Sequence, residues 1–463
     1  MLGCLGLPDK TEYAIINHLN EILGGSIMPL YSFRVLAQKI QKRFMLYFER
    51  AVQCVVIALE LFKRNGLTNH AAAASYGFLF SAAPGLLIIA FIILQVFETS
   101  PETVAALIGN VELLSEAFDI NDLLETFLKT SRPGIAGFIP IVGLLWTARI
   151  FALSLQRGLG IIFPADEKVS PMKQILSPII IEAAVIVLAF FMIFTSETAL
   201  LMNQVFDIFS LDQPWFTGIS GLLRRLSPLV IVGFFIFLGY TFVPAKAPKR
   251  SASLTGALFC TGLFSALIFM SRYIINEERY GIIYGTLGNL LILLVNVYFF
   301  FTLFFLGAEL TFIINSFDAL LLSRFIQTGS SPEKKSFTKR WFTPTSITLK
   351  EYIRSYVKED VVFSKGGTGM EIYYIISGEA AVYLEEGVMV DRIEHGKFFG
   401  EMSHYLSESR SATVKAHTDL KVLVIPPALF QEVLKHSKDM DKKIITLLSE
   451  RLRNVNAKLS SEG

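Results

Sequence analysis

The chain has 463 residues, room for two or three domains, and 42 Lys and Arg against 40 Asp and Glu, a formal net charge of +2. That near balance leaves no large basic face, so no nucleic-acid partner is expected. Three cysteines (Cys4, Cys54 and Cys260) stand far apart with no CxxC, which excludes a disulfide framework or a zinc site of usual spacing, and the six histidines are scattered, so no metal cluster and no cofactor are expected.

The hydrophobic share is 52%, only slightly above that of soluble domains, but its distribution is uneven. Residues 70–325 are dominated by long apolar runs, whereas 330–463 read as a soluble domain. Residues 1–33 are weakly patterned and carry no assigned role. They lack a positive stretch followed by an apolar core and a small-residue cleavage site, so no cleaved signal peptide is expected. Residues 34–70 predict a cytoplasmic or interfacial helix. The stretch 44–62, FMLYFERAVQCVVIALELF, is apolar on most of its face but carries Glu49, Arg50 and Glu60, which suits the bilayer surface better than its core.

Six segments within 71–325 are long enough to cross a bilayer as helix, at roughly 71–97, 134–163, 175–203, 226–244, 252–275 and 283–317. The connecting charges set an orientation. Lys39, Lys42, Arg43, Arg50, Lys63 and Arg64 precede the first span, and Lys246, Lys249 and Arg250 form the fourth loop. Arg324, Lys334, Lys335, Lys339 and Arg340 follow the last span, while the loop 98–133 carries seven acids against Lys129 and Arg132. Basic loops face the cytoplasm, so both termini are expected inside. Arg149 and Arg157 in the second span, Glu182 and Glu197 in the third and Glu309 in the sixth are costly in lipid. They predict either structural ion pairs or a polar path for an ion or small anionic solute.

Residues 67–87 (LTNHAAAASYGFLFSAAPGLL), 240–257 (YTFVPAKAPKRSASLTGA) and 280–310 (YGIIYGTLGNLLILLVNVYFFFTLFFLGAEL) carry a resemblance. In spacing they are similar to the YihY/virulence factor BrkB family, with Tyr284-Gly285, Gly288, Tyr298 and Gly307-Ala308-Glu309-Leu310 as the strongest match, over about residues 40–325. The resemblance implies a multi-pass protein of the bacterial inner membrane with both ends cytoplasmic, associated with envelope functions and transport. A ribonuclease label has also been attached to the family. A hydrolytic nuclease needs a metal-holding cluster or an acid–base pair near a phosphate, and the apolar half offers neither, so no enzyme is expected.

A charged, turn-rich linker at 326–345 leads into the C-terminal part, 346–463. Short alternating apolar segments near 361–363, 371–376, 380–384, 388–393, 412–416 and 421–425, separated by Gly-containing turns, predict a small β-barrel or jelly roll. Helices are expected at 427–434 and 439–459. Between the strands lies FFGEMSHYLSESRSATVKA (398–416). Gly400 and Glu401 begin a turn whose amides suit an anion, Glu401 can accept from a ribose hydroxyl, and Arg410 offers a planar fork that fits phosphate.

This segment resembles the phosphate-binding cassette of cyclic nucleotide-binding domains. The resemblance implies cAMP or cGMP as ligand, with Glu401 on the ribose and Arg410 on the cyclic phosphate, assisted by Gly400, Met402, Ser411 and Ala412. The expected fold class is therefore an α-helical transmembrane bundle of about six spans, plus a C-terminal β-barrel or jelly-roll cyclic nucleotide-binding domain with flanking helices. The expected partners are the lipid bilayer and a cyclic nucleotide, with a homo-oligomer left open. The expected function is a regulated transport or envelope activity. A non-transporting envelope scaffold carrying a sensor or a degenerate barrel is the alternative. A gated channel is disfavoured, because no Arg-rich voltage-sensor helix or TVGYG-like filter is present.

Overall fold

The computed structural model describes residues 27–96, 135–164, 214–244, 246–274, 286–329, 347–385 and 388–436, with scattered positions in 179–191, at 342 and beyond 436. It divides into two compact units, Val56–Ser316 on one side and Met1–Val55 with Phe317–Gly463 on the other.

The first unit is helical. It takes in the end of α1 (Ile27–Arg64) and all of α2 (Leu67–Val96), α3 (Ile135–Ile162), α4 (Pro214–Phe242), α5 (Arg250–Ile274) and α6 (Thr286–Asn315). Among the described residues, Arg250–Met270 and Leu291–Asn315 are long and apolar enough to cross a membrane, and Leu226–Phe242 is a shorter apolar stretch. The segment expected at 175–203 and the acidic loop 98–133 lie largely outside the described residues.

α6 organises this unit because its sequence has no polar face, so every side must meet other helices or lipid. It packs against α2, α5 and α3. The rings of Phe78, Phe151 and Phe301 join α2, α3 and α6, with centroids 5.5–6.1 Å apart. α4 is tied in by Tyr240, which is fully buried and donates its hydroxyl to the Phe304 carbonyl at 2.6 Å. α5 meets α6 across small residues. A Cβ on Gly256 would lie 2.6 Å from the Gly307 carbonyl oxygen, so that helix pair approaches as closely as backbone allows. Lys249 N–H donates to Asn315 Oδ1 at 3.1 Å and joins the start of α5 to the end of α6. The outward faces are apolar: Val230 and Phe234 on α4, Leu258 and Phe269 on α5, Leu291 and Val295 on α6 are all exposed. Water penalises such a surface, and lipid does not.

The second unit opens with the earlier part of α1, adds α7 (Phe317–Gly329), and ends in two four-stranded antiparallel sheets. The strands are β1 (Ile353–Tyr356), β2 (Val361–Phe363), β3 (Ile372–Ser377), β4 (Ala380–Glu385), β5 (Val388–Ile393), β6 (Phe398–Phe399), β7 (Thr413–Ala416) and β8 (Leu420–Ile425). Their orders are β1-β8-β3-β6 and β2-β7-β4-β5, a jelly roll closed over Ile375, Ala380, Ile393, Val414, Leu420 and Val422. The helices α8 (Glu401–Leu406) and α9 (Pro427–His436) complete it. The expected helix 439–459 lies almost wholly outside the described residues.

Within this unit the jelly roll is fastened to both flanking helices. Gln53, fully buried on α1, has its amide within 3.1 Å of the Thr348 hydroxyl, and Glu49 Oε2 accepts from Ile347 N–H at 3.3 Å. The Arg50 guanidinium sits 4.4 Å from the centroid of Phe317, the first residue of α7. Tyr352 hydrogen-bonds Asp318, and burial pushes its hydroxyl up to about 12, with Asp318 and Glu351 adding to the effect. α7 packs on α9.

Replacing Gly256 by Ala should lower thermal stability of the purified chain in detergent by about 1–3 kcal/mol, the usual cost of overpacking a tight contact. Gly262→Ala on the same helix meets open space and should be neutral or gain up to about 1 kcal/mol from helix propensity. Equal losses at both positions would show that the α5–α6 approach is not tight.

Candidate ligand site in the C-terminal barrel

The site is built around one buried cation. Arg410 precedes β7, and its backbone is fixed by a glycine turn that follows β2. Gly366 N–H donates to the Arg410 carbonyl at 2.8 Å, and Arg410 N–H donates to the Gly367 carbonyl at 2.9 Å. Gly366 has φ +80°, a conformation that favours glycine. Two-sided pairing of this kind leaves the Arg410 side chain one direction to run, into the barrel.

There the guanidinium is 2% exposed. Its carbon lies 4.2 Å from the centroid of Phe363 and 5.7 Å from that of Tyr373. Tyr373 in turn stacks on Phe399 at 5.0 Å with an interplanar angle of 11°. Nη1 donates to the Gly400 carbonyl at 2.7 Å and reaches Ser403 Oγ at 3.4 Å. Nη2 donates to the Glu371 carbonyl at 2.9 Å and lies 3.4 Å from Glu371 Oε2. Nε is buried and has no hydrogen-bond partner among the described residues. Burial pulls the guanidinium below its usual value, opposed by Tyr373, Glu371 and Glu401. An arginine starts so high that it remains charged through physiological pH.

Gly400 shapes the floor. Its φ of +80° turns the chain from β6 into α8, and an added Cβ would lie 2.8 Å from Arg410 Nη1 and 3.1 Å from the Glu371 carbonyl oxygen. Glu401, the first residue of α8, is 1% exposed. Ser403 is buried, while Met402 and Ser411 are exposed and Ala412 is half-buried. Of the residues proposed from the sequence, Gly400, Glu401 and Arg410 are thus drawn into one buried cluster, with Met402, Ser411 and Ala412 on its rim. His404 on α8 meets Phe430 on α9 edge-on at 5.8 Å.

Three members of the cluster were not anticipated: Phe363, Tyr373 and Glu371. Besides Glu401 of the motif, Glu371 places a carboxylate near Arg410 from the residue that immediately precedes β3. Phe363 is opposite Val414 in the β2–β7 register, four residues from Arg410 in the partner strand, a pairing visible only once the strands are aligned.

The polar candidates in the helical unit fare differently. Arg149 and Arg157 are exposed on α3. Glu309 is fully buried on α6, and its Oε1 accepts from Asn65 Nδ2 at 3.4 Å. Glu182 and Glu197 lie outside the described residues. Among the described residues, no three of His, Cys, Asp and Glu come together as a set that could hold a metal.

Among the described residues, the helical unit exposes apolar side chains suited to lipid, and the jelly roll encloses a buried arginine. Residues 353–437 match the cyclic nucleotide-binding domain, and residues 58–321, more than half of the chain, match virulence factor BrkB. The chain belongs to the virulence factor BrkB family. It is 25% identical over 273 residues to a UPF0761 membrane protein of Aliivibrio fischeri (strain ATCC 700601 / ES114), covering 56% of this chain and 82% of the relative. A UPF0761 membrane protein of Pseudoalteromonas translucida (strain TAC 125) is 32% identical over 139 residues, 29% of this chain and just under half (46%) of that protein. A cAMP-dependent protein kinase regulatory subunit of Colletotrichum orbiculare is 33% identical over 102 residues, 20% of this chain and 26% of the subunit.

Gly400→Ala should destabilise the C-terminal domain by about 1–3 kcal/mol, from a left-handed backbone on a residue with a Cβ together with the clash at Arg410. Chemical denaturation followed by a probe in the jelly roll checks this. A loss below about 0.5 kcal/mol would mean that the turn relaxes freely.

Proposed function

We propose that this chain is a six-span protein of the bacterial inner membrane, with both termini cytoplasmic, whose transport or envelope activity is controlled by cAMP or cGMP bound to its C-terminal domain. It performs no catalysis of its own. The observation that carries the reading is Arg410: a guanidinium nine-tenths or more buried, braced by the carbonyls of Gly400 and Glu371 and an aromatic face, with its Nε proton unpartnered among the described residues. A cation held so deeply costs stability unless an anion satisfies it, and a cyclic phosphate supplies one. The basic segments 39–64 and 246–250 and the acidic segment 98–133 support the orientation, which puts the domain where cyclic nucleotides are made.

Control is supported by the attachment of the jelly roll to α1. Glu49 and Gln53 grip residues 347 and 348, and α1 runs on through Arg64 to the corner that precedes the first span. Regulation therefore has a second route besides the linker 326–345. Ligand binding shifts such a system only by its differential affinity for two arrangements of these contacts.

Calorimetric titration of the full chain in lipid nanodiscs should show uptake of cAMP, cGMP or both. Arg410→Ala should weaken binding by about 2–5 kcal/mol, the range for truncating one partner of a buried charged pair. Absence of heat for the native chain at millimolar ligand would refute the sensor. A second expectation concerns coupling. The pair Gln53→Leu with Thr348→Val should leave nucleotide affinity within about twofold yet abolish ligand-dependent changes in amide exchange along 44–64. If those changes persist, α1 is not the route.

A further inference from the structure

The donors of Arg410 are unevenly used. Nη1 is taken up by the Gly400 carbonyl and the Ser403 hydroxyl. The remaining edge, made of Nε–H and the adjacent Nη2–H, is the fork that fits two oxygens of one phosphate. On that edge Nε has no partner among the described residues, and Nη2 is held by the Glu371 carbonyl and, at 3.4 Å, by Glu371 Oε2. A phosphodiester that engages the fork takes the free Nε proton and meets the Glu371 carboxylate at Nη2.

We propose that Glu371 is a built-in counter-ion that competes with the cyclic phosphate for Arg410 and so sets the affinity of the site. This inference rests on the reading of the domain as a cyclic-nucleotide sensor. Three observations favour competition over support. The carboxylate lies 3.4 Å from Nη2, long for a charge-assisted bond, so it is released more readily than the carbonyl contacts at 2.7 and 2.9 Å. Its side chain is 44% exposed against 2% for Arg410, so Glu371 can turn to water while Arg410 stays. The guanidinium does not depend on that carboxylate for its position, because two backbone carbonyls and the Phe363 face already fix it. Gly369 keeps the space open: a Cβ there would lie 2.7 Å from Glu371 Oε2. The buried Glu401 has no comparable exit to solvent.

The test is titration of the full chain in nanodiscs with cAMP and with cGMP, comparing native protein, Glu371→Gln and Glu379→Gln. Glu379 is an acid on the same domain, paired with Arg392, and controls for general loss of negative charge. Glu371→Gln should tighten binding by about fivefold, the upper worth of a partly exposed ion pair, while Glu379→Gln stays within about twofold. Glu371→Ala should tighten it likewise, which excludes a new bond from the amide. Unchanged or weaker binding by both Glu371 variants overturns the inference and leaves the sensor standing, as does equal tightening by Glu379→Gln. Uptake by none of the proteins overturns the sensor and this inference with it.

Discussion

A fixed positive charge inside a small barrel is the constraint from which the rest of the C-terminal domain follows. Arg410 cannot leave: its backbone is paired on both sides with the Gly366-Gly367 turn, and its head is wedged between Phe363 and the carbonyls of Gly400 and Glu371. Burial of an ionised group is costly unless nearly every donor is met. Four polar contacts reach Nη1 and Nη2, and the shortest two come from main-chain carbonyls, which have no freedom to turn away. The glycines at 366, 369 and 400 are the counterpart of that arrangement. Each allows backbone or carboxylate to approach where a side chain would collide or an L-residue would be strained.

The same arrangement gives the site a mechanical reach. The Gly400 carbonyl follows β6, which pairs with β3, which carries Tyr373 and begins beside Glu371; β3 pairs with β8, and β8 with β1. One sheet therefore connects the guanidinium to the turn at 347–352 and its grip on Glu49 and Gln53. A second connection leaves by way of rings. Phe398 on β6 meets Phe430 on α9 at 6.4 Å, and α9 packs on α7, the helix that directly follows α6 in the chain. β6 is thus linked by packing to α1 and α7, the helices on either side of the helical unit in sequence.

How much of this could be read from residues alone depended on the range of the interaction. The apolar helices were legible because lipid selects for composition over a long window, and α5 and α6 lie within a few residues of the segments expected at 252–275 and 283–317. Strands β2 to β5, β7 and β8 were legible because alternation over three to six residues meets a turn signal at each end. β1 has two outward polar residues and no apolar run, and β6 has only two residues, so neither leaves a period to detect. Gly400, Glu401 and Arg410 were legible because they are close in sequence and chemically unusual together. Glu371 and Phe363 were not, since each reaches Arg410 only through strand register. The contacts of Gln53 with Thr348 are farther still, nearly three hundred residues apart, and nothing local in either residue announces them.

Energetics decides what such a sensor can do with its ligand. A nucleotide that bound two arrangements of the domain equally would shift nothing, however tightly it bound. Differential affinity needs at least one contact that exists in only one arrangement, and a contact fully satisfied within the protein is a poor candidate because it gains nothing on binding. The carbonyl bonds of Nη1 and Nη2 are of that satisfied kind. Nε is not, and neither is the long approach of the Glu371 carboxylate. In the proposed sensor, the Arg410 contribution to switching therefore resides in one edge of the guanidinium, and it is bounded by how far the protein's own carboxylate already fills that edge. A stronger Glu371 bond would give a quieter resting domain with a weaker grasp of ligand. A weaker one would leave a buried cation whose cost the fold would have to carry elsewhere.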